Sequence, residues 1–426
     1  QIVRQMALKI LTKLNHGFRK GFSCETQLIT TVDDLYRNME RKKQTDVAIL
    51  DFSKALDTVP HDKLLHKLSK YGIQGNQLKW LQNFLTRRQM KVLVDGEESE
   101  EKDVDSGVPQ GTVLGPILFL CHINDLPKVV KSQVRLFADD CLLYRPINSQ
   151  QDHQILQSDL EALEKWADTW GMRFNAKKCY ILSIKNTSSH FYQLGGHFLQ
   201  QVSCNPYLGV TLSEDLTWSK HIDNITSKAN STIGFLRRNL RCCPRECRRT
   251  AFISLVRSTV EYCSVVWDPH LQGDIGKLEK VQKRGTRFIT QNYRDRTPGC
   301  ATKMLRDLKL PSLQERRQQQ RLVFFYKVVK GHTPALPAEK FLTKPTGTKR
   351  RINPTKRYGD TTNKAWNLAR KNSLSYEPII AESTQYRNSF FPRTTSEWNN
   401  LEEEIVSKPS IDSFRTALFE GSVPPN

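Results

Sequence analysis

One short stretch, residues 136–144, constrains the fold most strongly because it sets two adjacent aspartates between two apolar runs. The runs 134–138 and 141–144 have the composition of short β-strands. Asp139 and Asp140 are therefore predicted to form the tight turn of a hairpin, where Asp tolerates the required backbone. A charged pair between buried strands must face solvent or a positive partner, and hard divalent cations prefer carboxylate oxygens. Taken alone, the motif also fits a hairpin with a solvated acidic tip.

Charge is the second constraint. The chain has 426 residues, with 65 Lys and Arg against 44 Asp and Glu, and so carries a net charge of +21. A chain of this length accommodates about two to four domains. The positive excess favours a polyanionic partner, and nucleic acid is the first candidate. The alternative is a basic but inert surface.

Membrane insertion is not expected. The longest apolar run, residues 113–121, is interrupted by Gly115 and Pro116 and is too short to span a bilayer. No signal peptide is visible, so we expect an intracellular protein without membrane association. The first residue is Gln1, which leads us to expect a fragment or a processed product.

The ten cysteines are scattered without paired spacing, which suits a reducing compartment. Cys242, Cys243 and Cys247 form the one candidate metal group. This group lacks a second, properly spaced cysteine pair or a nearby histidine, so zinc binding is only weakly supported.

The first half of the chain alternates helical and strand-like patterns. Ser23 is predicted to cap a helix that runs to about Lys42. Residues 47–52 form a strand-like run that includes Asp51, and Pro60 opens another helix. The loop 106–111 contains two glycines and a proline, and it precedes a buried helix.

Further strands are predicted at residues 180–184 and 207–212, and an amphipathic helix crosses residues 156–170. From about Asp215 the pattern becomes helical. Residues 344–371 are basic and rich in Pro, Gly, Thr and Asn, which is typical of a linker, of an arm that orders on binding, or of a solvated loop. Aromatic residues return in the tail and indicate a small C-terminal module.

Asp51 on one predicted strand and the pair Asp139 and Asp140 on another form a set of three carboxylates. Phosphoryl transfer with two divalent metals requires such a set, because facing carboxylates hold the ions about 3.5–4 Å apart. One metal lowers the pKa of an attacking hydroxyl group and the other stabilises the leaving pyrophosphate.

The ordered motifs resemble those of the reverse transcriptases of non-LTR (LINE-type) retrotransposons, especially the jockey-like and chicken-repeat-like groups. The palm motifs are matched by residues 48–61 (AILDFSKALDTVPH), 106–116 (SGVPQGTVLGP), 137–140 (FADD) and 174–179 (FNAKKC). Residues 207–210 (YLGV) resemble the primer-grip strand, and residues 17–21 (GFRKG) resemble a fingers motif. The similarity covers nearly the whole chain.

The resemblance implies an α+β right-hand polymerase with an antiparallel palm sheet, a helical thumb and a small C-terminal module. The implied boundaries are residues 1–45 for partial fingers, 46–214 for the palm, 215–335 for the thumb, and 336–426 for the basic linker and C-terminal module. The implied activity is RNA-directed DNA synthesis from dNTPs on an RNA template and a DNA primer, which is nicked target DNA in the parent element. The parent element is expected to act in the nucleus and cytoplasm, and the oligomeric state stays open.

Site roles follow from the same resemblance. Asp51 and Asp139 would carry two Mg²⁺ ions, or Mn²⁺ in their place, with Asp140 assisting and the carbonyl of Phe52 completing one shell. Lys178 would protonate pyrophosphate. Nucleotide contacts are implied for Arg19, Leu56, Gln110 and Gly111. Nucleic-acid contacts are implied for Leu208 and Gly209 and for the thumb arginines Arg237, Arg238, Arg241, Arg245, Arg248 and Arg249.

Three departures from the family pattern matter. Leu56 stands where Phe usually stacks under the sugar, and Phe22 stands where the fingers motif usually has Arg. The chain also begins late, so we expect a truncated copy without the first fingers segment and the upstream endonuclease. No RNase H domain is apparent. Two alternatives stay open: a catalytically silent or domesticated nucleic-acid-binding remnant, and, less well matched, a group II intron maturase.

Overall fold

A computed structural model describes residues 9–188, 190–345 and 372–420. The chain divides into two compact units, Gln1–Leu216 and Thr217–Asn426. Nearly all of the predicted basic segment 344–371 lies outside the described residues. In the described part of the chain, no helix is both long enough and apolar enough to cross a bilayer.

The first unit mixes helices and strands. Its α-helices are α1 (Cys24–Glu40), α2 (His61–Lys70), α3 (Gly75–Leu85), α4 (Gly115–His122) and α5 (Gln150–Trp170). Its strands are β1 (Gln44–Leu50), β2 (Gln89–Met90), β3 (Leu93–Val94), β4 (Glu97–Glu98), β5 (Lys102–Asp103), β6 (Gln133–Phe137), β7 (Asp140–Ile147), β8 (Tyr180–Ile184), β9 (Gln193–Leu194), β10 (His197–Phe198), β11 (Gln200–Gln201), β12 (Cys204–Tyr207) and β13 (Val210–Ser213). Short 3₁₀ helices cover Leu126–Lys128 and Ala176–Lys178.

A five-stranded sheet in the order β11-β8-β1-β7-β6 organises this unit. β11 and β8 are parallel, and the other neighbours are antiparallel. β1 lies at the centre, with Leu50 opposite Cys141 of β7. Side chains alternate between the two faces of a strand. Ala48 and Leu50 accordingly join the large apolar core that includes α4 and α5, whereas α1 lies against the opposite face, where Tyr144 donates to Asp34 at 2.5 Å.

Local sequence explains the start of α1. Ser23 adopts an extended conformation, and its hydroxyl accepts the amide of Thr26 while the Thr26 hydroxyl accepts the amide of Ser23. This reciprocal capping box satisfies two amides that would otherwise lack partners at a helix N-terminus. The predicted helix start is confirmed.

Two turns differ from the sequence-based prediction. In the hairpin of β6 and β7, Phe137 pairs with Asp140, so the two turn residues are Ala138 and Asp139. The prediction that both aspartates form the turn is therefore wrong by one residue, because Asp140 begins β7. The strand predicted over residues 207–212, broken by Gly209, is instead the turn and second strand of the hairpin that β12 and β13 form. Leu208 and Gly209 form its turn with left-handed backbone angles, φ 48° and 78°.

The second unit is helical in its described part. Its helices are α6 (Ser219–Asn239), α7 (Arg245–Ala251), a π-helical turn (Phe252–Arg257), α8 (Ser258–Glu261), α9 (Ser264–Trp267), α10 (Gln272–Thr290), α11 (Cys300–Asp307), α12 (Leu313–Val329), α13 (Ala338–Phe341), α14 (Thr384–Arg387), α15 (Phe390–Asn399), α16 (Glu403–Val406) and α17 (Ile411–Glu420). Aromatic packing joins α12 to the tail, since Phe325 contacts Trp398 with ring centroids 5.3 Å apart. Buried Arg317 of the same helix pairs with Asp268 at 2.6 Å.

Candidate active site

The centre of the site lies where β1 and β7 meet at one end of the sheet. Asp51 directly follows β1, and the antiparallel register that pairs Leu50 with Cys141 continues toward Asp140. The alternation of side chains therefore sets Asp51 and Asp140 on one face, away from the core residues Leu50 and Cys141. The structure thus brings together carboxylates that are 89 positions apart in the sequence.

The carboxyl groups influence one another electrostatically. Loss of hydration around the Asp140 carboxyl, followed by the charges of Asp139 and Asp51, raises its pKa to about 6, although the residue retains exposed surface. Partial burial also raises the pKa of Asp51; the positive charge of Lys178 opposes this shift and the charge of Asp139 adds to it. Clustered carboxylates with raised pKa values make this end of the sheet a candidate functional site.

The turn of the acidic hairpin is held from outside by the loop before α1. Ala138 has a left-handed backbone, with φ 52°, and its amide donates to Asn15 Oδ1 at 3.1 Å. Gly17 packs so closely that a Cβ atom there would lie 2.5 Å from the Ala138 amide nitrogen. The motif 17–21 draws attention to Gly17 but not to Asn15, whose sequence signal is weak because it acts through a backbone contact 123 residues away.

The glycine-bearing loop 106–111 packs directly on the chain after Asp51. The amide of Val108 donates to the carbonyl of Leu56 at 2.8 Å, and the amide of Gly107 donates to Val59 at 2.8 Å. Gly107 has φ +86°, and a Cβ atom there would lie 2.7 Å from the Asp57 carbonyl oxygen. Glycine is therefore required both by conformation and by space.

The four predicted nucleotide contacts fall in two places. Gln110 is exposed, and its Nε2 donates to Asp57 Oδ1 at 2.7 Å, which sets it beside the half-buried Leu56. Gly111 follows at the exposed tip of the same loop. Arg19 instead lies in the loop before α1, where its guanidinium donates to the carbonyl of Asn15 and stacks over Phe22 at 4.2 Å. Phe22, a departure from the family pattern, thus supports the arginine.

Two neighbouring segments complete the site. Lys178 lies at the end of the 3₁₀ turn before β8, is exposed, and acts electrostatically on Asp51. Tyr207 precedes the Leu208–Gly209 turn. It is buried and accepts a hydrogen bond from Gln27 at 3.1 Å. Burial and the nearby charge of Asp140 raise the pKa of its phenol, while the hydrogen bond from Gln27 opposes the shift.

The donor set suits a hard cation, although the site is not closed around one. Among the described residues, no three His, Cys, Asp or Glu side chains are already grouped so as to hold a metal ion. The oxygens of Asp51, Asp139 and Asp140 are nevertheless the ligand type that Mg²⁺ and Mn²⁺ prefer. Burial raises the pKa values of Asp51 and Asp140, the repulsion from neighbouring carboxylates adds to both shifts, and a bound divalent cation would relieve that repulsion. The residues therefore fit the metal chemistry that the sequence predicts.

The predicted nucleic-acid arginines lie in the second unit and divide into two groups. Arg237, Arg238, Arg241 and Arg245 are exposed, and Arg249 is half-buried. Arg248 is buried, and its guanidinium donates to the carbonyls of Ile289, at 3.0 Å, and Cys243. These contacts give Arg248 a structural role in place of the predicted nucleic-acid contact.

A basic cleft adjoins the exposed arginines. Its first part, of about 830 Å³, is lined by Arg237, Arg238 and Arg241 near the end of α6. An adjoining part of about 670 Å³ adds Lys283, Arg287 and Arg296. Tyr293 lines both parts, and the Arg237 guanidinium stacks over its ring at 4.3 Å. Tyr293 was not predicted from the sequence because only the fold brings it to α6.

Comparison with known proteins identifies the class. Residues 1–212 match the family model described as reverse transcriptase (RNA-dependent DNA polymerase). The matched region contains the whole acidic site and the loops around it. The first unit of this chain is therefore a reverse transcriptase domain.

The relatives narrow the class further. The chain is 29% identical over 327 residues to the RNA-directed DNA polymerase from mobile element jockey of Drosophila melanogaster. This alignment covers 73% of this chain and 35% of the relative. It is 27% identical over 330 residues to the probable RNA-directed DNA polymerase from transposon BS of the same organism. That alignment covers 72% of this chain and 35% of the relative. These relatives are RNA-directed DNA polymerases of transposable elements, which confirms the predicted resemblance to the reverse transcriptases of non-LTR (LINE-type) retrotransposons. It spans about a third of the length of these relatives.

Among solved structures, the chain is similar to apo telomerase from Candida tropicalis, with 11% identity and a TM-score of 0.43 over 79% of this chain and 54% of that one. Telomerase from Candida albicans in complex with a fragment of telomeric RNA has 13% identity and a TM-score of 0.38, over 72% of this chain and 53% of the telomerase chain.

Proposed function

We propose that the chain carries out RNA-directed DNA synthesis, extending a DNA primer on an RNA template with dNTPs. The observation that carries this proposal is the convergence of Asp51, Asp139 and Asp140 at one end of the central sheet of a reverse transcriptase domain. In this assignment the sheet is the palm, and the divisions at residues 45, 214 and 335 separate fingers, palm, thumb and C-terminal module.

Asp51 and Asp139 would hold two Mg²⁺ or Mn²⁺ ions, with Asp140 assisting. When bound, these ions activate the primer hydroxyl and neutralise charge on the departing pyrophosphate. The main-chain hydrogen bonds to segment 173–175 are made by Asp51 and Ser53, the neighbours of Phe52. The carbonyl of Phe52 therefore points away from that segment and is suited to complete the coordination of one ion. Lys178, whose positive charge acts on Asp51, would donate a proton to pyrophosphate as it leaves.

The incoming nucleotide would lie against the chain after Asp51. Leu56 meets its sugar, and Gln110 and Gly111 contact the nucleotide and template from the loop packed over residues 56–59. Arg19 meets the triphosphate through the part of its guanidinium that Thr12, Asn15 and Phe22 leave available. Leu208 and Gly209 present the primer end from a hairpin whose Tyr207 lies within the electrostatic reach of Asp140.

The second unit would bind the nucleic-acid backbone. The exposed arginines of the basic cleft offer several phosphate contacts, and Lys283 and Arg296 extend this surface beyond the predicted set. The proposed partners are therefore an RNA template and a DNA primer or target DNA. We propose that the parent element acts in the nucleus and cytoplasm. The intact acidic site favours a polymerase over a silent nucleic-acid-binding remnant.

The test is primer extension on poly(rA)/oligo(dT) with dTTP and Mg²⁺. Wild-type chain should incorporate dTTP, and chelation of divalent ions with EDTA should abolish incorporation because the carboxylates alone cannot neutralise the pyrophosphate. Binding of the same primer–template without extension would instead support the remnant.

A further inference from the structure

The main chain around Asp51 is clamped by the segment that precedes β8. Residues 173–175 run antiparallel to residues 51–53. The amide of Ser53 donates to the carbonyl of Arg173 at 2.8 Å, and the amide of Asn175 donates to the carbonyl of Asp51 at 2.8 Å. The rings of Phe52 and Phe174 stack with centroids 4.2 Å apart.

The thiol of Cys179 closes this clamp. Its Sγ accepts the amide of Asp51 at 3.4 Å and lies 3.3 Å from the carbonyl of Asn175, to which the S–H group donates. Both main-chain polar groups of Asp51 are therefore bound by one seven-residue segment, the amide by Cys179 and the carbonyl by Asn175. Cys179 is only 1% exposed, so water cannot readily replace the thiol.

The clamp also fixes the position of a charge. Lys178 ends the 3₁₀ turn 176–178 and directly precedes Cys179. Cys179 joins the apolar core while exposed Lys178 acts on the Asp51 carboxyl. A shift of the thiol would therefore move both the backbone of Asp51 and the lysine that faces its carboxylate.

We propose that Cys179 is a positioning residue of the polymerase site. Its thiol hydrogen bonds hold Asp51 and Lys178 in register, and through Asp51 they set the affinity for divalent metal. This inference rests on the proposed metal-binding role of Asp51. The alternative is that Cys179 only fills the core, in which case any apolar side chain of similar size would serve.

The variants separate hydrogen bonding from volume. Cys179→Val keeps about the same size but removes the acceptor for the Asp51 amide, whereas Cys179→Ser keeps a donor and an acceptor. Cys121→Val is the matched control, because Cys121 is equally buried, in α4, and makes no hydrogen bond with Asp51 among the bonds of the described residues. Thermal unfolding of each variant verifies that it is folded, and Cys179→Ala replaces Cys179→Val should the latter not fold.

Mn²⁺ binding to the full chain is measured by electron paramagnetic resonance without nucleotide or primer, so that the readout is independent of turnover. Loss of a group that orients a metal ligand typically weakens metal binding about 10–100-fold. We expect a loss of this size for Cys179→Val, near wild-type binding for Cys179→Ser, and no change for Cys121→Val. A second readout is hydrogen exchange, in which the Asp51 amide should exchange faster in Cys179→Val alone.

Unchanged Mn²⁺ affinity and Asp51 exchange in Cys179→Val would overturn the positioning role. Equal weakening in Cys179→Ser and Cys179→Val would also overturn it, because the hydroxyl preserves the hydrogen bonds. Asp51→Asn separates the two proposals: if it abolishes Mn²⁺ binding while Cys179→Val does not, the metal site stands and only the role of Cys179 fails. Absence of Mn²⁺ binding by the wild-type chain would overturn both.

Discussion

Asp51 and Asp140 flank the last pair in the antiparallel register of β1 and β7, because Asp51 follows Leu50 and Asp140 precedes its partner Cys141. The two carboxylates are therefore neighbours through main-chain geometry and need no flexible loop to bring them together. Asp139, in the turn itself, adds a third carboxylate at the same edge of the sheet.

Asp140→Asn should stabilise the metal-free chain at pH 7.5. The folded-state pKa of Asp140 is raised from 3.8 to about 6, so the folded state loses stability as pH rises from about 4 to 6, and the penalty is complete above 6. With allowance for solvent screening at this exposed carboxylate, the gain should be about 1 kcal/mol. Thermal unfolding measures it. The gain should vanish below pH 4 and shrink when Mg²⁺ is added; a gain that is the same at every pH would contradict the raised pKa of Asp140.

Neutralising Arg237, Arg238 and Arg241 together to Gln should weaken primer–template binding and flatten its salt dependence. The slope of log K against log salt should fall by about 0.7–0.9 for each phosphate that is no longer neutralised. Fluorescence anisotropy at several salt concentrations gives this slope. Arg248→Gln is the contrast. It should leave the slope unchanged and cost about 1–3 kcal/mol of folding stability, because the buried carbonyls of Ile289 and Cys243 lose their donor. A smaller salt slope for primer–template binding in Arg248→Gln would show that Arg248 contacts a phosphate.

Leu56→Phe should improve the exclusion of ribonucleotides. Leu56 is half-buried beneath the loop that carries Gln110, and a hydrophobic pocket rejects an added hydroxyl only weakly, by about 10²-fold. A larger ring would narrow the space beside the 2′-position of the sugar. The ratio of kcat/KM for dGTP and rGTP on a matched template should rise in the variant. Equal ratios for the wild-type chain and Leu56→Phe would show that this side chain does not contact the sugar, and the departure from the family pattern would then have no consequence for selectivity.

Gly17→Ala should distort the acidic turn. The added methyl group would lie 2.5 Å from the Ala138 amide nitrogen, whose hydrogen bond to Asn15 it would displace. We expect a loss of about 1–3 kcal/mol in folding stability, together with reduced primer extension. Gly276→Ala in α10 is the control, since a Cβ atom there meets nothing within 4 Å. It should stabilise the chain by up to about 1 kcal/mol. Equal effects of the two substitutions would contradict the close approach of Gly17 to the turn.

Much of this organisation could be predicted from local sequence signals. Capping chemistry marks the start of α1, and short apolar runs mark β1 and β8. The turns were less predictable, because Ala138 and Leu208 adopt left-handed backbones that their residue types do not favour. Asn15, Cys179 and Tyr293 carry no local signal for the contacts they make. Each acts through a partner that only the folded chain brings near.

Arg248 shows a related limit. Six arginines in a basic stretch look alike in sequence, yet the carbonyl of Ile289, 41 residues away, determines that Arg248 is buried. Composition predicts that such a surface binds a polyanion, whereas the identity of each contributing residue depends on tertiary packing.

The most direct measurement of the central claim is primer extension on poly(rA)/oligo(dT) with Mg²⁺, comparing the wild-type chain with Asp139→Asn, while anisotropy reports binding of the same primer–template. We expect Asp139→Asn to lose most of its extension rate, because one metal-binding charge is gone. Binding should be retained, because the phosphate contacts that we propose come from the arginines of the second unit. Extension by Asp139→Asn at the wild-type rate would contradict the assignment of the acidic hairpin as the catalytic centre.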